Sequence, residues 1–182
     1  MTLAKLIQSR RSIKTFSDRP VDRELLLDLL DVAVYAPNHR LTERWRFVVV
    51  DGAARAELIG HLVSDAASRG KDPVRTAEKL GRVPLFLFVI MKENQDALMR
   101  REDFAATSCV VQNFLLLAWE QGLGTHWKTL PETPALRRLV GLADDEQVVG
   151  FVQVGYPAEV PESAPAPAAR RRRSAREKVT YL

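Results

Sequence analysis

The densest group of side chains that could do chemistry lies near the start of the chain, between Arg10 and Phe16. The adjacent residues Arg10 and Arg11 can hold a dianion in a fork of charge-assisted hydrogen bonds, and the Ser12 hydroxyl can donate another. Lys14 can serve a second anionic or carbonyl group. A solvated basic turn is the alternative, because each cation at the C-terminal end of a helix is favourable by about 0.3–1 kcal/mol. The motif alone leaves an anion site and a surface turn as even alternatives.

Three further stretches combine cations and hydroxyls with apolar residues. They are the turn 36–45, the segment 126–129 and the arginine-rich segment 170–176. With the first motif they suit a ligand that carries one phosphate, a polyol and a flat heteroaromatic ring. Flavin mononucleotide (FMN) has these three parts.

Other catalytic classes lack their motifs. No Gly-x-Ser-x-Gly, His-Glu-x-x-His or paired carboxylates in an apolar setting are present, which argues against a hydrolase. The histidines His39, His61 and His126 do not have the spacing of zinc ligands, so we expect no metal site. No Gly-x-Gly-x-x-Gly follows a predicted strand, which disfavours a Rossmann dinucleotide site. Gly122 and Gly124 are better explained as the end of a helix.

The positive charge is concentrated at the C-terminal end. Residues 170–182 include six basic residues and one acidic residue, so they carry +5, and because the whole chain carries +4 the rest sums to −1. The body of the protein therefore has no excess positive field. A basic tail could bind nucleic acid or an anionic membrane through counterion release, or it could clamp a phosphate locally.

Length and composition indicate one globular domain. The 182 residues are 46% hydrophobic and 27% charged, which excludes disorder of the whole chain. No apolar run approaches about 20 residues, and Lys5, Arg10 and Arg11 interrupt any signal-like segment, so we expect a cytoplasmic protein without a membrane span. The single cysteine, Cys109, excludes an internal disulfide.

Hydrophobic periodicity and capping residues predict the elements that must position these motifs. The segment 101–121 is apolar on more than one side, which suits a central helix packed against both a sheet and a second surface. The predicted helices span 2–10, 22–36, 53–68, 72–81, 101–121 and 134–140, and the predicted strands span 45–50, 85–91, 125–130 and 148–155.

The C-terminal region differs in composition from the rest. Residues 157–169 include four prolines, so we expect an extended arm, and residues 178–182 are again β-prone. A strand-forming end after an arm suits the edge of a sheet in a second copy. A frayed terminus is the alternative.

Four motifs in this order resemble the flavin-dependent nitroreductase family, particularly its short, single-domain members. The motifs are Arg-Arg-Ser-Ile-Lys-Thr-Phe, Ala-Pro-Asn-His-Arg-Leu-Thr-Glu-Arg-Trp-Arg-Phe-Val-Val-Val, Gln-Gly-Leu-Gly-Thr-His-Trp-Lys and Val-Val-Gly-Phe-Val-Gln-Val-Gly-Tyr-Pro, followed by the late arginines. The resemblance spans nearly the whole chain. It implies an α+β fold with a central, mainly antiparallel sheet flanked by helices, in a single domain over 1–182. It also implies an intertwined homodimer with two FMN sites at its interface, in which 157–182 is an extended arm onto the partner subunit and the long helix forms much of the interface.

The resemblance also implies which residues bind FMN. Arg10, Arg11 and Ser12 would bind the phosphate and ribityl end, and Lys14 would lie near the pyrimidine edge, where a cation favours negative charge at N1 of the reduced flavin. Asn38 and His39, with Tyr35 just before them, would belong to the turn that reaches FMN from the partner subunit. Trp127, Lys128 and Thr129 would lie beside the isoalloxazine ring and the ribityl chain. Arg172 and Arg173 would bind the phosphate.

Some of these residues have structural alternatives. His39 could simply be a turn or capping residue, and Trp127 could belong to the core. Two positions also depart from the family pattern, since Arg44 stands where relatives usually have proline and Lys14 where many have arginine. Arg44 leaves the backbone shape of its loop, and the shape of the substrate mouth, open.

The function that the resemblance implies is an oxidoreductase with a ping-pong mechanism. NAD(P)H would give hydride to the flavin and leave, and an electron-poor acceptor such as a nitroaromatic or quinone would then use the same pocket. This chemistry requires no protein nucleophile or acid–base triad. The alternatives are a flavin-dependent dehydrogenase or reductase of a specific metabolite, a flavin-binding module without turnover, and a nucleic-acid binder that uses the arginine tail.

Overall fold

A computed structural model describes residues 1–159, 172 and 174–181. These residues form helices α1 (Leu3–Ser9), α2 (Arg23–Ala33), α3 (Gly52–Ser68), α4 (Pro73–Gly81), α5 (Ala97–Glu120) and α6 (Pro134–Leu139), and strands β1 (Trp45–Val50), β2 (Leu85–Lys92), β3 (Gly124–Lys128) and β4 (Glu146–Gly155). Two short 3-10 turns lie at His39–Leu41 and Ala175–Lys178. Every predicted helix and strand up to residue 155 is present.

The four strands form one antiparallel sheet in the order β1-β2-β4-β3. The prediction of an α+β fold with a mainly antiparallel sheet is therefore confirmed. β2 lies in the middle of the sheet, and its residues from Leu85 to Met91 are almost completely buried. This burial explains why β2 is a continuous apolar run without the alternation of a half-exposed strand.

Each face of the sheet packs against its own set of helices. On one face, α2 and α5 cover alternate residues of β2 and β4 such as Leu87 and Val152. On the other face, α3, α4 and α6 cover Phe86, Phe88 and Phe151. The ring centroid of Phe151 lies 5.5 Å from that of Phe86 and 4.9 Å from that of Phe88. The fold is thus three layers deep, as the two-sided burial of the central strands requires.

The longest helix begins earlier than the sequence predicted, at Ala97 and not at residue 101. The cause is Asp96, whose carboxylate accepts a hydrogen bond from the Met99 N–H at 2.9 Å and so caps the helix. The helix ends as predicted before Gly122, whose φ of +76° suits the left-handed position after a helix.

β3 is shorter than predicted, ending at Lys128 and not at residue 130. The ladder with β4 extends only from the pair Gly124 and Gly155 to the pair Lys128 and Phe151. Beyond that point the Val148 N–H donates to the Glu132 carboxylate at 2.6 Å, so β4 has no strand partner on this side there.

The basic motif is held as an extra extended segment at the edge of the sheet. Ser12 forms a parallel bridge with Thr125, and the Ile13 N–H donates to the Thr125 carbonyl oxygen at 2.9 Å. Further along, the Ser17 N–H donates to the Tyr156 carbonyl oxygen at 2.8 Å. Ile13 is buried, whereas the residues on either side of it, Ser12 and Lys14, are exposed. The hydrophobic residues therefore anchor the segment and leave its polar side chains available.

The β-prone end at 178–182 has no strand partner among the described residues, and its predicted pairing with the sheet edge of a second copy stays a prediction. Ala175–Lys178 forms a 3-10 turn that begins where the Ser174 hydroxyl accepts from the Arg176 N–H, and residues 179–181 follow it without pairing in the described chain. A β-prone segment becomes a strand only where an edge is available to pair with it. The predicted arm at 157–169 lies outside the described residues from residue 160 onward, as does Arg173.

None of the helices in the described residues has both the length and the apolar character needed to span a membrane.

A partly buried ion pair ties the ends of β1 and β4 together and makes stability depend on pH. Arg46 donates two hydrogen bonds to the Glu146 carboxylate at 2.6 and 2.7 Å, and this contact chiefly lowers the pKa of Glu146 to about 2. Since the folded pKa lies below the unfolded value, the pair stabilises the fold above the unfolded pKa, and this contribution is lost as the pH falls toward the folded value.

We expect Glu146→Gln to lower the free energy of unfolding by about 2 kcal/mol at neutral pH, a value that allows for the partial exposure of Arg46. The deficit should shrink as the pH is lowered to about 3, because Glu146 of the unfolded wild-type chain is then protonated while the folded carboxylate is still largely charged, so the ion pair stabilises the fold less. Urea denaturation at both pH values measures it. Glu78→Gln, an exposed charge on α4, is the control. A deficit that stays constant with pH would refute the role of the ion pair.

Candidate functional site

Three arginines lie near one another at the end of α1, close enough for their charges to interact. Partial burial, together with the nearby positive charges of Arg11 and Arg172, lowers the pKa of Arg10. The fold thus brings a residue of the C-terminal tail next to the N-terminal motif. Among the described residues, no carboxylate forms an ion pair with any of the three arginines. A cluster of like charges without a counter-charge suits a strongly anionic group such as a phosphate.

The two arginines of the motif have different surroundings. Arg11 donates from Nη1 to the carbonyl oxygens of Gln8 at 2.6 Å and Arg10 at 3.0 Å, so it caps the C-terminal end of α1. Arg10 makes no such side-chain contact in the described chain. The two interpretations of the motif therefore both apply, to different residues: Arg11 stabilises a helix end, and Arg10 has its donors available for an anion.

Ser12 and Lys14 follow on the exposed edge of the same segment. The Ser12 hydroxyl has no hydrogen-bond partner within the described residues, so it can serve a ligand. Lys14 reaches the mouth of a cavity of about 420 Å³ between the sheet and the α3–α4 pair. Phosphate-binding and ring-binding candidates therefore lie in sequence along one extended segment.

The cavity has a basic rim and an apolar floor. Its basic side chains are Lys14, Arg69, Lys71, Lys79, His126 and Lys128, and its apolar side chains are Leu62, Ala66, Leu80, Leu130 and Phe151. Thr15, Thr76 and Gln153 complete the lining, which includes no carboxylate. We call it the basic cavity. Its size and mixed lining are typical of a small-molecule site.

The crowding of cations in the basic cavity affects its titratable groups. Burial and the charges of Lys71, Arg69, Lys14 and Lys79 all lower the pKa of Lys128. For His126, burial and neighbouring lysines lower the pKa, while a hydrogen bond with Gln153 acts in the opposite direction. The site therefore holds positive charge at an electrostatic cost, which a bound anion would relieve.

Three basic residues of the cavity were not singled out from the sequence: Arg69, Lys71 and Lys79. Arg69 and Lys71 follow the end of α3, and Lys79 lies on α4, where cations are ordinary surface residues. Only the packing of the α3–α4 pair over the sheet brings them to the same cavity as Lys14.

The turn from Asn38 to Arg44 is strained and internally braced. Asn38 donates to the Thr42 hydroxyl at 3.0 Å and accepts from the Glu43 N–H at 2.8 Å. Three residues without glycine's freedom have positive φ: Arg40 (58°), Leu41 (49°) and Glu43 (44°). Such backbone persists only where surrounding contacts enforce it.

The contacts that enforce it converge on Asp103 of α5, whose side chain is only 2% exposed. Its carboxylate accepts from the Thr42 hydroxyl at 2.6 Å and lies 3.6 Å from Arg44 Nε. Arg44 also donates to the Glu93 carbonyl oxygen at 3.2 Å. Arg44 therefore anchors the turn to the buried Asp103 carboxylate, and this contact accounts for the backbone shape of the loop, which the sequence had left open.

The structure does not bring the residues of this turn to the basic cavity of the same chain. Tyr35 is 87% exposed and His39 is exposed, while the Asn38 amide is engaged within the turn. None of the three lines the cavity. Their predicted contact with FMN of a partner subunit stays a prediction.

Trp127 lies on the opposite face of β3 from His126 and Lys128. Its indole N–H donates to the Val149 carbonyl oxygen at 3.3 Å, and the residue is 37% exposed. With Thr129 it borders a shallow surface recess next to Lys128. Trp127 is thus partly packed and partly exposed to solvent, so it is neither a fully buried core residue nor a fully exposed one.

Comparison with known proteins identifies the family. The chain matches the model of the Nitroreductase family over residues 7–156. It is 43% identical over 170 residues to the Bacillus subtilis (strain 168) protein named "Putative NAD(P)H nitroreductase YfhC", a match that covers 88% of this chain and 87% of that protein.

Solved structures agree in fold. A nitroreductase-like family protein from Bacillus cereus has a TM-score of 0.86 and 32% identity, with 100% of this chain and 96% of that chain covered. The FMN and NADPH-dependent nitroreductase NfnB from Sphigopyxis sp. strain HMH, at 20% identity, shares the fold with a TM-score of 0.75 over 100% of this chain and 99% of its own. The family match covers most of the chain, and the chain belongs to the nitroreductase family.

Proposed function

We propose that the protein is an FMN-dependent oxidoreductase that takes hydride from NAD(P)H and reduces a nitroaromatic, quinone or similar electron-poor acceptor by a ping-pong mechanism. The observation that carries the proposal is the cluster of Arg10, Arg11 and Arg172, placed one segment away from a cavity large enough for a flat ring. The family membership and the names of the relatives support the reaction class.

The residues present fit FMN. Arg10 and Arg172 would bind the phosphate as a dianion, and the Ser12 hydroxyl, next along the segment, would donate to the phosphate or ribityl chain. Lys14 would meet the pyrimidine edge of the ring at the mouth of the basic cavity. When bound, the flavin supplies reversible hydride transfer, and Lys14 contributes positive charge where the reduced ring is negative.

The position of Arg172 also bears on the arginine tail. A tail that binds nucleic acid would present its arginines to solvent along an extended basic surface. Arg172 is exposed, but it lies close enough to Arg10 for its charge to lower the pKa of Arg10. This juxtaposition supports the local phosphate clamp over a nucleic-acid arm.

We propose further that two copies complete the site. α5 buries one side against the sheet and leaves an edge with Phe104, Ala105 and Cys109 exposed, and Phe104 retains 45% of its accessible surface. An exposed apolar edge on a central helix suits a twofold interface. In such a dimer the braced turn at 38–44 of one copy would supply Asn38 and His39 to the other.

Anaerobic spectroscopy of the purified protein tests the function. We expect a yellow protein whose flavin absorbance is bleached by NAD(P)H and restored by nitrobenzene or a quinone, with parallel double-reciprocal plots for the two substrates. A colourless protein that cannot be reconstituted with FMN would refute the proposal, and so would a flavoprotein that NAD(P)H does not bleach.

A further inference from the structure

The loop between α2 and β1, residues 34–44, is attached at both of its ends to polar side chains of α5. At its start, the Asn113 side-chain amide donates to the carbonyl oxygen of Ala33 at 3.1 Å. At its end, the Asp103 carboxylate accepts from the Thr42 hydroxyl at 2.6 Å. The position of the loop is therefore set by a single helix.

The carboxylate at the second attachment is an expensive group to bury. Asp103 is only 2% exposed, and an ionised carboxylate in such a place must be paired and hydrogen-bonded. The loop supplies most of what it needs, through the Thr42 hydroxyl and through Arg44 Nε at 3.6 Å, while the Asn94 side-chain amide is 3.5 Å away. The loop cannot leave α5 without stranding a buried charge.

The same carboxylate orients a side chain further along the loop. The Thr42 hydroxyl has one proton, and the 2.6 Å distance to Asp103 is typical of a hydroxyl that donates to a carboxylate. The Thr42 oxygen can then accept from Asn38 Nδ2 at 3.0 Å, while Asn38 Oδ1 accepts from the Glu43 N–H at 2.8 Å. Asp103 thus fixes which way the Asn38 amide points, and the second Nδ2 hydrogen remains for a ligand.

The backbone of the loop requires this attachment. Arg40, Leu41 and Glu43 have positive φ angles, a conformation that is costly for residues with a Cβ. His39 directly precedes the first of them. The direction of its side chain therefore depends on whether the strained backbone is held, and a loop released from Asp103 would relax toward ordinary φ angles.

The helix that holds the loop also carries the edge proposed above as the dimer interface. Phe104, the residue after Asp103, keeps 45% of its accessible surface. A loop attached to this helix keeps a fixed position relative to whatever packs against that edge. Such rigidity matters at a shared site, since a displacement of about 1 Å is enough to impair a binding constellation.

We propose that Asp103, acting through Thr42 and Arg44, is a positioning residue for the flavin site of the partner subunit. It holds Asn38 and His39 in the orientation in which they meet the partner's FMN. This inference rests on the proposed function, since it requires an FMN site that two copies share.

FMN affinity in a hydroxyl-deletion variant is the first test. Thr42→Val removes the hydroxyl with little change of shape, and we expect the dissociation constant for FMN to rise about tenfold. Thr107→Val is the matched control, because Thr107 is also buried and its hydroxyl donates to the Asp103 carbonyl oxygen at 2.8 Å, within α5. The control should keep the wild-type affinity. Titration of each apoprotein with FMN measures both values.

A mixed dimer distinguishes positioning of the partner's site from a general loss of structure. Chains carrying Arg10→Ala and Thr42→Val are co-expressed with different affinity tags, and the heterodimer is isolated. The Arg10→Ala chain then supplies an intact loop to the site of the Thr42→Val chain, which keeps its own Arg10, so one of the two sites is complete. We expect half of the wild-type FMN capacity at the wild-type dissociation constant, whereas neither variant homodimer binds that tightly.

A milder variant makes the same test if Thr42→Val does not fold. Arg44→Gln removes the ion pair and leaves Asp103 its hydrogen bond with Thr42. Its heterodimer with Arg10→Ala should likewise show one site of wild-type affinity. Urea denaturation of each apoprotein establishes that the variants used are folded.

A heterodimer without a tight site, or an equal loss of affinity in Thr42→Val and Thr107→Val, would overturn the inference and leave the proposed reaction standing. A wild-type chain that binds FMN as a monomer would also overturn it, because the loop would then serve no second copy. That result would remove the shared site but not the reaction. A wild-type protein that cannot bind FMN refutes the proposed function itself.

Discussion

Replacing Arg10 with alanine is expected to weaken FMN binding about a hundredfold, since a charged hydrogen-bonding group typically contributes about 1.5–3 kcal/mol. Arg10 has no side-chain partner in the described chain, is partly buried, and lies near Arg11 and Arg172. Its guanidinium donors are therefore available to the phosphate, and truncation removes them together with the charge. Titration of the apoprotein with FMN, followed by quenching of flavin fluorescence, measures the change.

Arg11 provides the matched comparison on the adjacent residue. Because its Nη1 is engaged with the carbonyl oxygens of Gln8 and Arg10, Arg11→Ala should cost some stability of α1 and only a severalfold loss of FMN affinity. Arg10→Lys should fall between wild type and Arg10→Ala, since lysine keeps the charge but cannot form the bidentate fork. An Arg11→Ala loss equal to or larger than that of Arg10→Ala would refute this division of roles.

Replacing Gly124 with alanine is expected to lower the free energy of unfolding by about 2–3 kcal/mol and to weaken FMN binding as well. A Cβ at this position would lie 2.7 Å from Ile13 Cγ1 and 2.8 Å from Ile13 Cβ. Ile13 cannot turn aside, because it is buried, β-branched and hydrogen-bonded through its N–H to Thr125. The added methyl must therefore displace the segment that carries Ser12 and Lys14.

Gly60→Ala is the control for Gly124→Ala. Gly60 lies inside α3, and a Cβ there would meet nothing within 4 Å, so we expect the substitution to stabilise the protein by about 0.5–1 kcal/mol without changing FMN affinity. Urea denaturation and the flavin titration are run on both variants. If Gly124→Ala lowers stability but leaves FMN affinity at the wild-type value, the segment at 12–14 does not position the cofactor.

The elements themselves could be predicted because their signals are local. Asp22, Asp72 and Thr133 each accept a hydrogen bond from a backbone N–H of the first helical turn, and the strands are short apolar runs between turn residues. One boundary error, at the end of β3, was set by a longer-range contact, since Glu132 binds the Val148 N–H there. The other, at the start of α5, was a local cap at Asp96 that the hydrophobic pattern did not reveal.

The chemistry of the proposed cofactor site could also be inferred from the sequence, since the predicted anion site at Arg10 and Arg11 depends on residue types that lie next to one another. Two parts of the site were not visible. The anchoring of the 38–44 turn depends on Asp103, which is more than sixty residues from Thr42 along the chain. The rim of the basic cavity depends on Arg69, Lys71 and Lys79, which the sequence presents as ordinary helix-surface cations.

The sequence by itself determined the fold class, the order of the elements, the family resemblance and the residues most suited to a phosphate. The tertiary structure alone decided which arginine of the motif caps a helix, how Arg44 anchors a strained turn, and which cations share a cavity. The physical reason is the range of the interactions. Capping, periodicity and adjacent charges act over a few residues, whereas the electrostatic environment of a site is the sum of charges brought together only when distant segments pack.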